Sequence, residues 1–183
     1  MNFYIGTPYF TLIPKELFDN NTFTNVLSDM FELDNNNLNI KYVFIEQFNA
    51  YMVYAIDKTI CNKMTVDKEL YPLALYFIDN VKNINGYNKV ILNIDKKNNI
   101  THIVIAQDKE LKLINTYSTG NFKDALYYLF LALKNLQINA ALTNICIYNI
   151  IDDKKADILN NYFNKIEIGN IDCNLITEFN TQQ

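Results

Sequence analysis

The chain has 183 residues, half of them hydrophobic, and a formal net charge of −4 at pH 7. All sixteen basic residues are lysine, so the bidentate arginine contacts that proteins make with phosphate and guanine have no source here, which argues against specific nucleic-acid recognition. Residues 1–11 lack the features of a signal peptide, and no run approaches the ~20 apolar residues of a membrane span, so we expect a cytoplasmic protein without a membrane partner.

The first elements predicted in chain order build a small lobe around one hairpin. Pro14 suits the first turn of a short helix, and the apolar face of residues 22–31 predicts a second helix. Strands over 40–47 and 51–56 are rich in aromatic and branched residues and form the clearest hairpin in the chain. This lobe is therefore expected to contain a sheet that is buried on at least one face.

The segment that follows the hairpin is less regular. Residues 57–67 are interpreted as a polar connection, and a helix is predicted from about Pro72, although 71–77 also fits a strand. Gly86 marks the expected seam between two lobes. The predicted domains are a partial N-terminal lobe of residues 1–86 and a C-terminal lobe of residues 87–183.

The second half of the chain predicts the order β-β-β-α-β-α-β. Short polar turns join the first three strands, which favours an antiparallel meander, and right-handed crossovers would bring the next two strands into the same sheet. This is the order of a ribonuclease H-like layer, with Asn121 as the N-cap of its long helix. The predicted elements are strands over 89–94, 100–106 and 111–117, a helix over 122–136, a strand over 145–148, a helix after Asp152, a strand over 165–168 and an edge strand over 175–179.

Reactive side chains are few and scattered along the sequence. Cys61, Cys146 and Cys173 show neither zinc-ligand spacing nor a disulfide pattern, so we interpret them as free thiols in a reducing compartment. His102, the only histidine, stands in the middle of a predicted strand, where a structural role is the simpler interpretation. A zinc enzyme is not expected.

A nuclease active site would need several carboxylates that converge on two metal ions. Asp95 lies at the end of the first strand of the layer, Asp124 falls on the polar side of the long helix, and the fourth strand carries no acidic residue. The sequence therefore offers no carboxylate cluster, and no metal site is predicted.

ATP binding is the other chemistry that such a layer supports, with phosphates held at the turn between its first two strands. That turn, residues 95–99, contains no glycine, although Asp95 could reach a magnesium ion through water and Lys96 could offset phosphate charge. Ser118 and Gly120 precede the long helix, whose N-terminus can hold an anion. Both segments also fit an ordinary hairpin tip and an ordinary helix cap, so these four residues are candidates for a nucleotide site only under this alternative.

Four segments of the chain carry a family resemblance: FTLIPKELF at 10–18, FNAY at 48–51, LINTY at 113–117 and DALYY at 124–128. Together they resemble a Bacteroidota family, domain of unknown function 3822, over about residues 9–168. The resemblance implies an actin-like ATPase fold, in which two ribonuclease H-like lobes face a cleft, similar to the actin-like proteins of pilus and secretion assembly.

One departure from the family pattern bears on function. Family members begin with a further strand pair ahead of the segment at 12–14, and that pair would carry the first phosphate loop of an actin-like ATPase; here it is absent or nearly so. We therefore expect an incomplete actin-like fold without a cofactor, acting as a non-catalytic protein-binding or scaffold module. Its partner, another protein or a second copy of the chain, would pair with an open sheet edge. The alternative is a nucleotide-binding protein that takes Mg-ATP.

Overall fold

A computed structural model describes residues 2–31, 33, 37–63, 69–149 and 153–176. The strands in this part of the chain are β1 (Asn2–Ile5), β2 (Phe10–Pro14), β3 (Leu38–Ile45), β4 (Ala50–Asp57), β5 (Glu69–Pro72), β6 (Asn88–Asp95), β7 (Ile100–Gln107), β8 (Glu110–Tyr117), β9 (Thr143–Tyr148), β10 (Lys165–Ile168) and β11 (Asn174–Ile176). The α-helices are α1 (Phe23–Phe31), α2 (Lys58–Lys63), α3 (Leu73–Val81), α4 (Phe122–Asn135) and α5 (Asp153–Asn160). Short 3₁₀ helices cover Lys15–Leu17, Glu46–Phe48 and Ala140–Leu142.

The C-terminal sheet has the strand order β10-β9-β6-β7-β8. Strands β6, β7 and β8 form an antiparallel meander, whereas β9 runs parallel to β6 and β10 runs parallel to β9. The predicted ribonuclease H-like order is thereby confirmed. It follows from the short turns within the meander and from the long crossovers that contain α4 and α5.

Helices α4 and α5 cover one face of this sheet. Leu129 and Leu133 of α4 and Leu159 of α5 are buried in one apolar cluster with Leu92 and Ile103 from the sheet. The predicted N-cap is also confirmed, because the side chain of residue 121 accepts a hydrogen bond from the backbone N–H of residue 123 at 2.8 Å.

The N-terminal sheet has the order β2-β4-β3 and is antiparallel throughout. The predicted hairpin is confirmed as β3 and β4, and Asn49 adopts a left-handed conformation (φ 47°) in the connection between them. The predicted second helix is α1, whose Leu27 is buried against Val53 and Ala55 of β4. The sheet is thus covered by a helix on one face, as its aromatic and branched residues suggested.

A small parallel sheet with the order β11-β1-β5 joins the two ends of the chain. The predicted tail strand is present as β11 and pairs with β1; residues 177–179 of that prediction lie outside the described residues. The interpretation of 57–67 as a connection was wrong in its first part, where α2 forms. Asp57 initiates this helix, because its Oδ1 accepts hydrogen bonds from the backbone N–H and the hydroxyl of Thr59 at 2.6 and 2.5 Å.

Helix α3 is apolar on nearly all sides and lies between two cores. Leu75 and Ile78 belong to the cluster formed with β4 and β5, whereas Phe77 and Val81 pack against the face of the C-terminal sheet opposite α4. A helix with this composition is stable only when it is buried. The helix predicted from about Pro72 is confirmed as α3, whereas the alternative of a strand over 71–77 was wrong beyond residue 72, where β5 ends and α3 begins. The division of the chain at Gly86 stays a prediction.

Candidate functional site

The turn between β6 and β7, where the nucleotide alternative placed its phosphates, is held together by its own side chains. Asp95 Oδ1 accepts from the backbone N–H of Asn98 at 3.1 Å, and Asp95 Oδ2 accepts from the Asn98 side-chain amide at 2.7 Å. Asn99 takes the left-handed conformation (φ 53°) that glycine would otherwise supply. Both carboxylate oxygens of Asp95 therefore already have hydrogen-bond donors.

Gly120 packs directly on this turn. Its backbone N–H donates to Asn99 Oδ1 at 2.8 Å, and a Cβ added at this position would lie 2.8 Å from Lys96 Cα and 3.1 Å from the backbone oxygen of Asp95. The sequence suggested an ordinary helix cap for Gly120 or, under the nucleotide alternative, part of an anion site. The contact depends on tertiary structure, and it brings three of the four candidate residues together.

A cavity of about 270 Å³ opens beside the turn. Its lining includes Asp95 and Lys96, whereas the exposed Ser118 and Gly120 itself are not among the lining residues. The described residues that line it are Ile94, Asp95, Lys96, Lys97, Asn98, Asn149 and Leu175. A nucleotide site at these positions stays a prediction.

Replacing Gly120 by alanine is expected to destabilise the protein by about 1–3 kcal/mol, because the new methyl group would overlap backbone atoms that cannot rotate away. Gly6→Ala is the matched control, since a Cβ at Gly6 has no atom within 4 Å, and it should change stability by no more than ~0.5 kcal/mol. Urea unfolding measures both. Equal stability of the two variants would show that the close contact between Gly120 and the turn does not contribute to the free energy of unfolding.

A row of polar side chains, two of them fully buried, crosses the C-terminal sheet next to this cavity. Asn93, His102 and Thr116 are cross-strand neighbours on β6, β7 and β8. Asn93 Nδ2 lies 3.1 Å from His102 Nδ1, and Asn149 Nδ2 donates to Asn93 Oδ1 at 2.8 Å. Because Nδ1 acts as the acceptor in this arrangement, the proton of the neutral ring lies on Nε2. Within the described residues, His102 Nε2 and Thr116 Oγ1 are buried without a hydrogen-bond partner.

Burial shifts the pKa values of the histidine and of two cysteines towards their uncharged forms. Burial lowers the pKa of His102 to about 4, with partial opposition from the charge of Asp95, so the ring is neutral at pH 7. Burial also raises the pKa of Cys146, and it raises the pKa of Cys173 to about 11, so neither is an activated thiolate. Nowhere in the described ranges do three or more histidine, cysteine or acidic side chains come close enough to hold a metal ion.

A second cavity was not anticipated from sequence. It has a volume of about 500 Å³ and is bounded by segments that are far apart in the chain: the start of β1, the end of β3 with the 3₁₀ turn after it, β5 and one side of α3. We call it the tyrosine groove. Its lining residues are Asn2, Tyr4, Val43, Phe44, Ile45, Glu46, Gln47, Tyr71, Leu75 and Asp79.

The tyrosine groove combines aromatic walls with carboxylates. Tyr4 and Tyr71 are cross-strand neighbours with ring centroids 6.2 Å apart, and the hydroxyl of Tyr71 donates to Glu69 Oε2 at 2.5 Å. Burial and the neighbouring Glu69 raise the pKa of Tyr71 to about 12, so its hydroxyl stays protonated. Burial raises the pKa of Asp79, which the nearby cation of Lys82 partly offsets. The groove therefore presents apolar rings, a hydroxyl and negative charge at one place.

Comparison with solved structures identifies the class of fold. The chain is similar to the crystal structure of a Bacteroides thetaiotaomicron protein described as having an actin-like ATPase fold and unknown function, with a TM-score of 0.76 and 21% identity over 92% of this chain and 67% of that chain. The predicted actin-like ATPase fold is thereby confirmed. The chain belongs to the family Protein of unknown function (DUF3822), whose model matches residues 2–166, so the family resemblance is confirmed as well.

No curated protein sequence matches the chain. Among the described residues, each helix is too short or too polar to cross a lipid bilayer.

Proposed function

We propose that this protein is a non-catalytic protein-binding module with an actin-like fold, and that it binds its partner at the tyrosine groove. The observation that carries this proposal is the groove itself. Its volume of about 500 Å³ falls within the ~300–1,000 Å³ of typical ligand sites, and its aromatic walls are of the kind enriched in protein interfaces. Free thiols at residues 61, 146 and 173 support a cytoplasmic location.

The strands beside the groove favour a polypeptide as the ligand. Within the described residues, β3 and β5 each lie at the edge of their sheet, and both contribute to the groove. An edge strand offers unpaired backbone groups to an extended segment of a partner. Tyr42 and Phe44 of β3 are 42% and 38% exposed, so large side chains accompany that edge. The edge of β1, by contrast, is occupied by the chain's own β11.

The second candidate function is nucleotide binding at the turn between β6 and β7. Asp95, Lys96 and Lys97 line one cavity, which favours this function. The cavity of about 270 Å³ is small for a nucleotide, however, and the groups that should meet phosphate or magnesium are engaged. The Gly120 amide donates to Asn99, and Asp95 accepts from Asn98. These residues do not fit Mg-ATP without breaking the turn, so we rank this function second.

Site-specific crosslinking in the native host tests the proposed function. We expect a photoreactive phenylalanine analogue at Phe44, on the groove wall, to give a discrete adduct with another protein. A second substitution in the groove, Asp79→Arg, should abolish that adduct. The control position is Tyr127, which is 64% exposed on α4 and does not line the groove. The proposal fails if position 44 gives no adduct, or if its adduct persists with Asp79→Arg.

A further inference from the structure

The tyrosine groove has a charge that selects its ligand. Glu46 and Asp79 line it, Glu69 is held beside it by the hydroxyl of Tyr71, and no lysine is among its described lining residues. The cavity at the turn between β6 and β7 has the opposite character, because two lysines line it. The groove is therefore complementary to a cationic group.

Asp79 is the carboxylate that α3 contributes to the groove. It lies one helical turn after Leu75, the buried residue that α3 contributes to the groove, and makes no hydrogen bond to any described residue. The side chain is exposed at the mouth of the groove, and partial burial raises its pKa, an effect that the cation of Lys82 partly offsets. An ammonium group entering the groove would supply the hydrogen-bond donors that this charge lacks.

The aromatic walls suit the same ligand. Rings of tyrosine and phenylalanine attract a cation placed over their faces, within ~6 Å of the ring centre. The chain already shows this contact at the wall of the groove, where Nζ of its own Lys15 lies 5.3 Å from the centroid of Phe44. Tyr4 and Tyr71 provide two more rings on the other side of the cavity.

We propose that the tyrosine groove binds the side chain of a lysine carried on an extended segment of the protein partner. The lysine stem packs between Phe44 and Tyr71, and its ammonium reaches Asp79. This inference rests on the proposed function, and it names the chemistry that the partner must present. A partner segment without a lysine would leave Asp79 desolvated and unpaired.

The test uses the full chain, labelled for NMR, and two small probes that differ in one group. N-acetyl-lysine methylamide carries the ammonium, and N-acetyl-norleucine methylamide has a similar stem without it. We expect the lysine probe to shift resonances of Tyr4, Tyr71 and Asp79 and to bind about five-fold more tightly than the norleucine probe. Asp79→Asn should remove that preference, whereas Asp157→Asn, at an exposed position on α5, should keep it.

The outcomes separate this inference from the function on which it rests. Equal binding of the two probes, no binding of either, or an unchanged preference in Asp79→Asn would overturn the lysine assignment. None of these results would affect the crosslinking test at Phe44. Addition of Mg-ATP to the same sample tests the second candidate function, nucleotide binding. Shifts centred on residues 95–99 would support nucleotide binding at the turn, and would leave a measured lysine preference at the groove in place.

Discussion

Phe77→Ala is expected to lower the free energy of unfolding by about 3–5 kcal/mol, the cost of removing a fully buried ring from a packed core. Phe77 lies in the cluster between α3 and the C-terminal sheet, with its ring centroid 5.1 Å from that of Tyr148 and 5.4 Å from that of His102. His102 and the apolar residues of β6 and β7 in the same cluster cannot fill the cavity that the missing ring leaves unless the helix moves. Urea unfolding at pH 7.5 measures the loss. Tyr127→Ala is the control, because that side chain is mostly exposed and should contribute no more than ~0.5 kcal/mol.

The same variant reports on how the two lobes are joined. Since α3 contributes to the core of each lobe, we expect Phe77→Ala to unfold in one cooperative transition, monitored by tyrosine fluorescence and by far-ultraviolet circular dichroism. Two separate transitions would contradict this expectation. They would support instead the division of the chain into independently stable units near Gly86. A loss below 1 kcal/mol would mean that Phe77 does not fill the space between α3 and the sheet.

The C-terminal sheet could be predicted in order and nearly to the residue because its signals are local. Runs of branched residues mark β6 and β7, the turns between them are short, and the apolar residues of α4 recur at helical spacing. Asn121 then marks where that helix begins. Each of these elements is long enough for its pattern to be distinguished from chance.

The parts that sequence reasoning missed are short or depend on distant contacts. Helix α2 has six residues, fewer than two helical turns, and it begins in a segment that reads as a polar connection. The pairing of β11 with β1 joins residues near opposite ends of the chain, and no local sequence feature predicts it. The tyrosine groove has the same origin, since Tyr4, Phe44 and Asp79 meet only when three separate elements pack together.

The candidate phosphate site illustrates the limit of composition as evidence. The absence of glycine from residues 95–99 suggested that this turn would bind phosphate poorly. The structure shows how the turn forms without glycine. Asn99 adopts the left-handed conformation, and Asp95 closes the turn through Asn98. The contact of Gly120 with Lys96 required the register of three strands and the start of α4. Of the four candidate residues, Asp95 and Lys96 line one cavity, which is expected of adjacent residues in one turn.

The buried histidine predicts a loss of stability on mild acidification. The pKa of His102 is about 4 in the folded protein and close to 6.5 in an unfolded chain. Because the folded pKa is lowered, the unfolded state takes up the proton first as the pH falls. The contribution of His102 is therefore complete above pH 6.5 and is lost progressively towards pH 4. The lost free energy of unfolding amounts to about 2 kcal/mol at pH 5 and about 3 kcal/mol at pH 4.

Comparison of the wild type with His102→Gln separates the pH-dependent contribution of His102 from that of the carboxylates, because the carboxylates are the same in both proteins. The variant should be less stable than the wild type at pH 7.5, and the difference in their free energies of unfolding should shrink by about 2 kcal/mol at pH 5. Since the chain has a single histidine, its imidazole resonance is unambiguous and gives a direct measurement. We expect that resonance to report a neutral ring from pH 8 to pH 5. Protonation with a midpoint near 6.5, or parallel stability curves for the two proteins, would mean that water reaches the ring and that the polar row through Asn93 and Asn149 does not exclude it.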